Sequence, residues 1–140
     1  MIRSVAKLFK GRPNSGKVRI LLELKSSCVT RIDESAIKQV LMNLLINASE
    51  AMNNAGKIKI TLAKKSGFIK ISVIDEGPGI TAGQAEKIFS PFFTTKAKGT
   101  GLGLSISRDL IEQHGGNINT VVKKQGAVFE INLPEAGNGK

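Results

Sequence analysis

Residues 33–75 read DESAIKQVLMNLLINASEAMNNAGKIKITLAKKSGFIKISVID, and the apolar period changes inside this stretch. From Ile37 through Val40, Leu41, Leu44, Leu45 and Ala48 the spacing is helical, ending near Met52. Asp33 stands where an N-cap is wanted, because its carboxylate can accept from the free N–H groups of a first turn. NNAG (53–56) is a stop signal, since Asn and Gly tolerate the left-handed backbone of a helix C-terminus. Then KIKITLA (57–63) and FIKISVID (68–75) alternate, separated by KKSG. That pattern predicts an antiparallel hairpin with its lysines on the wet face.

Working outward, KVRILLEL (17–24) and CVTRI (28–32) read as two strands before the helix. After the hairpin, EGPGI (76–80) breaks the chain, and residues 81–100 lack clean periodicity apart from a short helix near Gln84–Ile88. A loop of that length in a compact domain is usually functional or disordered. Gly101 to His114 is helical again, with Leu102, Ile106, Leu110 and Ile111 expected on one side. NINTVVK (117–123) and AVFEINL (127–133) predict a second hairpin around KQG. The order β-β-α-β-β-loop-α-β-β implies an α+β, two-layer sandwich. Its helices would lie on one face of a mixed, mostly antiparallel sheet. Residues 1–16 read as a junction or linker, 17–135 as the domain and 136–140 as a tail.

The chain of 140 residues suffices for one core. No run approaches the ~20 apolar residues of a membrane span, and the basic start is too interrupted for a secretory signal. A single cysteine, Cys28, rules out a disulfide framework and a Cys-rich zinc site. The formal net charge is +10, and residues 1–32 hold eight Lys/Arg against one Glu. The absence of Tyr and Trp removes the stacking platform of a single-strand nucleic-acid binder, so a basic face or an acidic partner is the better reading.

Several short patterns carry chemistry. GRPNSGKV (11–18) approaches a phosphate-binding P-loop, but Val18 lacks the hydroxyl that magnesium needs and the lysine opens a strand. GTGLGL (99–104) sits before a helix, where glycines admit a phosphate to the unpaired N–H groups of the first turn. In DEGPGI (75–80), Asp75 ends a strand; its carboxylate can accept from an exocyclic amine, with Gly77 and Gly79 leaving room for a flat ring. The same residues also make an ordinary turn. Gln39, Asn43, Asn47 and Glu50 fall on one helical stripe beside the apolar face, either as a solvated edge or as oxygen donors to a hard cation.

Together and in this order, the patterns resemble the ATP-binding catalytic domain of bacterial sensor histidine kinases, in the GHKL superfamily. QVLMNLLINASEAM (39–52) resembles the N box, DEGPGI the G1 box, IFSPFFTTK (88–96) the F box, and GTGLGLSISRDLIEQHGG (99–116) the G2 box. GAVFEINLP (126–134) resembles the usual last strand. The NASEAM variant points to nitrogen-regulation and sporulation kinases.

The resemblance implies a Bergerat sandwich with a mobile ATP lid over residues 81–100. It implies Mg²⁺ on Asn47, with Asn43 nearby, and adenine read by Asp75 beside Gly77, Gly79 and Ile80. Phe92 and Phe93 would anchor the lid, and Thr94, Thr95, Lys96, Gly99 and Thr100 would face the nucleotide from it. Lys96 would act on the phosphates, and Gly101, Leu102, Gly103 and Leu104 would cradle them. Two positions depart from common members: Glu50 replaces a basic residue and Ala127 a hydroxyl. Where hydrolases of the superfamily carry a glutamate base, this chain has Asn43, which favours phosphoryl transfer over hydrolysis.

No H box is present, and His114 is the one histidine, expected to end a helix. The phosphoacceptor histidine would therefore lie on a separate dimerisation domain. A response regulator would be the next partner, and the parent protein cytoplasmic or membrane-associated. No nucleic-acid partner is expected, and the isolated domain should be a monomer. A GHKL serine kinase of the anti-sigma-factor type and a nucleotide-binding module without transferase activity are the alternatives.

Overall fold

Helix α2 (Glu34–Ala51) organises the fold. Asp33 caps it, its Oδ1 accepting from the Ser35 N–H at 3.0 Å and the Ser35 hydroxyl at 2.8 Å. Ile37, Val40, Leu41, Leu44 and Leu45 are fully buried, as the period predicts. The helix stops where Asn53 (φ 56°) and Asn54 (φ 60°) turn left-handed, and the Asn54 N–H closes on the Ser49 carbonyl.

The computed structural model describes residues 2–13, 15–25, 33–90, 103–122 and 125–135. The remaining elements are α1 (Ile2–Lys10), β1 (Lys17–Leu24), β2 (Ala55–Lys65), β3 (Phe68–Asp75), α3 (Ala82–Lys87), α4 (Gly103–Gln113), β4 (Asn117–Val121) and β5 (Val128–Pro134). The five strands form one sheet in the order β1-β2-β3-β5-β4. Among the described strands only β1 and β2 pair in parallel; α2 makes the crossover between them. The other pairings are antiparallel. Ser66 (φ 52°) and Gly67 (φ 82°) close the β2–β3 hairpin, both with the positive φ that a two-residue turn of matching twist requires.

Alternation divides the sheet. Val18, Ile58, Ile60, Ile69, Ile71, Val73, Ile118, Phe129, Ile131 and Leu133 are buried and join the α2 residues in one core. On the opposite face Lys59 meets Glu23 at 3.0 Å and Lys70 meets Glu130 at 3.2 Å. These pairs are half exposed and contribute little to stability.

Two sequence expectations change. The region expected to be a linker contains α1, whose Ile2, Val5, Ala6 and Phe9 are buried in the same core. Lys10 Nζ then holds the Ser15 and Val18 carbonyls, while the Ser15 hydroxyl donates to the Lys10 and Arg12 carbonyls. On α4 the buried residues are Ser105, Ser107 and Ile111; Ile106, expected inside, is 41% exposed. The inward row is Leu104, Ser107, Ile111, with a serine where an apolar residue would have marked it. The strand expected at 28–32 and the tail at 136–140 lie outside the described residues. No helix among the described residues is long and apolar enough to cross a membrane.

Candidate functional site

Asp75 closes β3 opposite Ile58 and shares the inner face with Val73. Its carboxylate is therefore carried into the end of the core, and the residue is only 6% exposed. Oδ1 accepts from the Gly77 N–H at 2.8 Å and the Ala127 N–H at 3.1 Å. Among the described residues nothing donates to Oδ2. Burial pushes the Asp75 pKa above its ordinary 3.8, and the two backbone donors partly oppose that shift. A buried carboxylate clamped through one oxygen by two backbone donors has the chemistry to accept a further hydrogen bond through the other.

The loop after Asp75 is fixed from several sides. The Glu76 N–H points at Met52 Sδ (3.4 Å), and the Glu76 carboxylate accepts from the Lys57 N–H at 3.0 Å. A Cβ on Gly77 would stand 3.1 Å from the Ala51 carbonyl and 3.2 Å from Asp75 Oδ1, so the loop lies directly on the end of α2. Gly79 has φ 86°, and Ile80 is half-buried against the core. Gly126 (φ 74°) passes so close that a Cβ would meet the Asp75 carbonyl at 2.3 Å; its N–H donates to the Gly77 carbonyl at 2.7 Å. Ala127 matters here through its backbone, so the lack of a side-chain hydroxyl leaves the clamp on Asp75 whole.

The polar stripe of α2 links this loop to α4. Gln39 and Glu50 are exposed, whereas Asn43 and Asn47 are half-buried. Asn43 Nδ2 donates to the Ser107 hydroxyl at 3.2 Å and to the Gly103 carbonyl at 3.4 Å. Asn43, Asn47 and Ala51 stand four residues apart on one face. At 1.5 Å per residue they span about 12 Å, from the first turn of α4 to the Gly77 loop. Gly103 opens α4, and the positive end of the helix dipole lies at this first turn.

Thus Asn43, Asn47, Asp75, Gly77, Gly79, Ile80, Gly103 and Leu104 fall along one connected line of structure. Phe92, Phe93, Thr94, Thr95, Lys96, Gly99, Thr100, Gly101 and Leu102 lie outside the described residues. At the start of the expected lid, α3 carries a capping box between Thr81 and Gln84. Phe89, not singled out from the sequence, packs edge-on against Phe129 with centroids 6.1 Å apart, and Arg108 lies 6.0 Å from its ring. His114 ends α4 as expected: its Nδ1 donates to the Leu110 carbonyl at 2.7 Å.

The sequence pattern of the histidine kinase-, DNA gyrase B- and HSP90-like ATPases matches residues 32–137. The chain belongs to this ATPase family. It is 47% identical over 103 residues to sensor histidine kinase ZraS of Escherichia coli O157:H7, covering 73% of this chain and 22% of that protein. To the histidine-protein kinase AtoS of Escherichia coli K12 it is 46% identical over 104 residues, covering 73% and 17%. The chain therefore spans about a fifth of the length of these curated relatives.

Among solved structures it is similar to the catalytic domain of histidine kinase ThkA. The TM-score is 0.86 at 44% identity, covering 96% of this chain and 90% of that one. It is also similar to ThkA in complex with the response regulator protein TrrA, with a TM-score of 0.83 at 40% identity, covering 99% and 40%. The fold is the GHKL sandwich, and ATP is the nucleotide the family implies.

Proposed function

We propose that this domain binds ATP with Mg²⁺ and presents its γ-phosphoryl group to a histidine on a separate dimerisation domain, as the catalytic part of a sensor histidine kinase. One observation carries the reading. The Asn43–Asn47–Ala51 line of α2 joins a buried carboxylate clamped through one oxygen at one end to the N-terminus of α4 at the other. Asp75 Oδ2 would accept from the adenine amino group, with Gly77 and Gly79 beside the ring. The first turn of α4 would meet the phosphates, with Lys96, Gly101 and Leu102 adding contacts from outside the described residues.

Asn47 fits a Mg²⁺ held mostly by phosphates, because such an ion takes hard oxygen donors and needs only one or two from protein. Among the described residues no group of three His, Cys, Asp or Glu side chains could cage a metal by itself. When bound, Mg²⁺ would neutralise charge on the β- and γ-phosphates. The chain's own part is positioning: it holds the base, orients the phosphates and offers no carboxylate at position 43 to activate water. An imidazole nitrogen would attack the γ-phosphorus, the bond to the bridging oxygen would break, and ADP would leave.

The chain's one histidine donates from Nδ1 into its own helix end, which supports an acceptor on another domain. Residues 1–16 would join that domain, with α1 folded onto this one. A response regulator would take the phosphoryl group onward, and the domain would work in the cytoplasm.

Calorimetric titration of ATP with and without Mg²⁺ tests the site. Asn47→Ala should weaken the Mg²⁺-dependent binding about tenfold or more and leave the Mg²⁺-free titration nearly unchanged. Equal losses in both titrations would refute the assignment. Radiolabel transfer from ATP to an added dimerisation domain tests the reaction.

A further inference from the structure

Ser107 has been assigned no role towards the nucleotide, yet it is polar and 0% exposed. A hydroxyl has one proton, and this one goes to the Gly103 carbonyl, 2.9 Å away and one turn earlier. Its lone pair then receives Asn43 Nδ2 at 3.2 Å, and the same amide group reaches the Gly103 carbonyl at 3.4 Å. The three groups form a closed triangle between α2 and the first turn of α4.

The triangle admits one orientation of the amide. Rotated by half a turn, Asn43 would set its Oδ1 against the Gly103 carbonyl, two acceptors with no proton between them. It would also face a hydroxyl whose proton is already given away. We infer that Ser107 is a positioning residue: its buried hydroxyl holds the Asn43 amide with Nδ2 towards α4 and Oδ1 away from it, and so locks the first turn of α4 to the polar stripe of α2. The inference rests on the nucleotide reading for its functional consequence, because the locked turn is the one assigned to the phosphates. It also gives position 43 a reason to be an amide. A shortened carboxylate there, as in Asn43→Asp, would place an acceptor against the Gly103 carbonyl.

The test combines side-chain amide NMR with a double-mutant cycle. Ser107→Ala removes the hydroxyl, and Ser107→Cys keeps nearly the same volume while replacing it with a weak donor and acceptor. In nucleotide-free protein both should shift the Asn43 side-chain amide signals and speed their exchange with solvent. Titration with ATP·Mg²⁺ should show a loss of about tenfold or less in each Ser107 variant and in Asn43→Ala. The Ser107→Ala/Asn43→Ala double variant should lose no more than Asn43→Ala alone.

A purely structural serine would lower the melting temperature without moving the Asn43 amide, and its loss would add to that of Asn43→Ala. Either result overturns the inference. If wild type fails to bind ATP while the amide signals still respond to Ser107, the nucleotide reading falls and the Ser107–Asn43 lock stands.

Discussion

Replacing Asp75 with asparagine separates what the residue does for the fold from what it does for a ligand. The two N–H groups of Gly77 and Ala127 need an acceptor, so an asparagine must turn its Oδ1 to them, at 2.8 and 3.1 Å in the native geometry. Its Nδ2 then takes the place of Oδ2. An adenine amino group arriving there meets a donor instead of a carboxylate oxygen. The lost charge-assisted hydrogen bond is worth about 1.5–3 kcal/mol, or about 10- to 150-fold in affinity.

The fold should respond in the opposite sense. Burial raises the Asp75 pKa above 3.8, so the folded state holds this proton more tightly than the unfolded chain does. The stabilisation from that proton is complete below the unfolded pKa and is lost as pH rises through the folded one. At neutral pH the ionised carboxylate is a burden that Asp75→Asn removes. Thermal melts should show the variant equal to or more stable than wild type at pH 7, with its relative advantage shrinking as pH falls into the carboxylate range. Calorimetry should show the loss of ATP binding. A variant that melts lower than wild type at pH 7, or binds ATP within a few-fold of it, would refute this account of the carboxylate.

Gly126→Ala forces a Cβ to 2.3 Å from the Asp75 carbonyl at φ 74°. Denaturant melts should show a loss of more than about 2 kcal/mol, and intact stability would mean the β5 approach is looser than described. Phe9→Ala empties a core position that is 2% exposed. It should cost about 3–5 kcal/mol if α1 is integral to the fold; a change under about 1 kcal/mol would return residues 2–10 to the status of a linker.

The parts of the fold that sequence revealed are those where one period runs unbroken. Six apolar residues at helical spacing fixed α2, and a clean alternation fixed β2 and β3. Other parts depended on partners that local pattern does not name. Helix α1 has Ile2, Val5, Ala6 and Phe9 at helical spacing, but nine residues are marginal as an isolated helix and gain their stability from packing on the core. The face of α4 was misread because Ser107, a polar residue, holds the central inward position. Alternation could not say which face Asp75 takes; register against Ile58 decides it. Phe89 was passed over because its partners, Phe129 and Arg108, are distant in sequence and meet it only in the fold.

The Asp75 clamp also has a consequence for how the protein is made. One of its two donors, Ala127, lies 52 residues further along the chain, and the neighbouring Gly126 N–H closes on Gly77. While the ribosome is still adding the segment between them, α2 and the β2–β3 hairpin can already form, since their contacts lie behind the growing end. The carboxylate, however, remains unclamped until β5 is synthesised and pairs with β3. An incomplete nascent chain therefore has its core helix but lacks the completed clamp on Asp75. With Asp75 in its proposed role, competence to hold the nucleotide arrives only when nearly the whole domain has been translated.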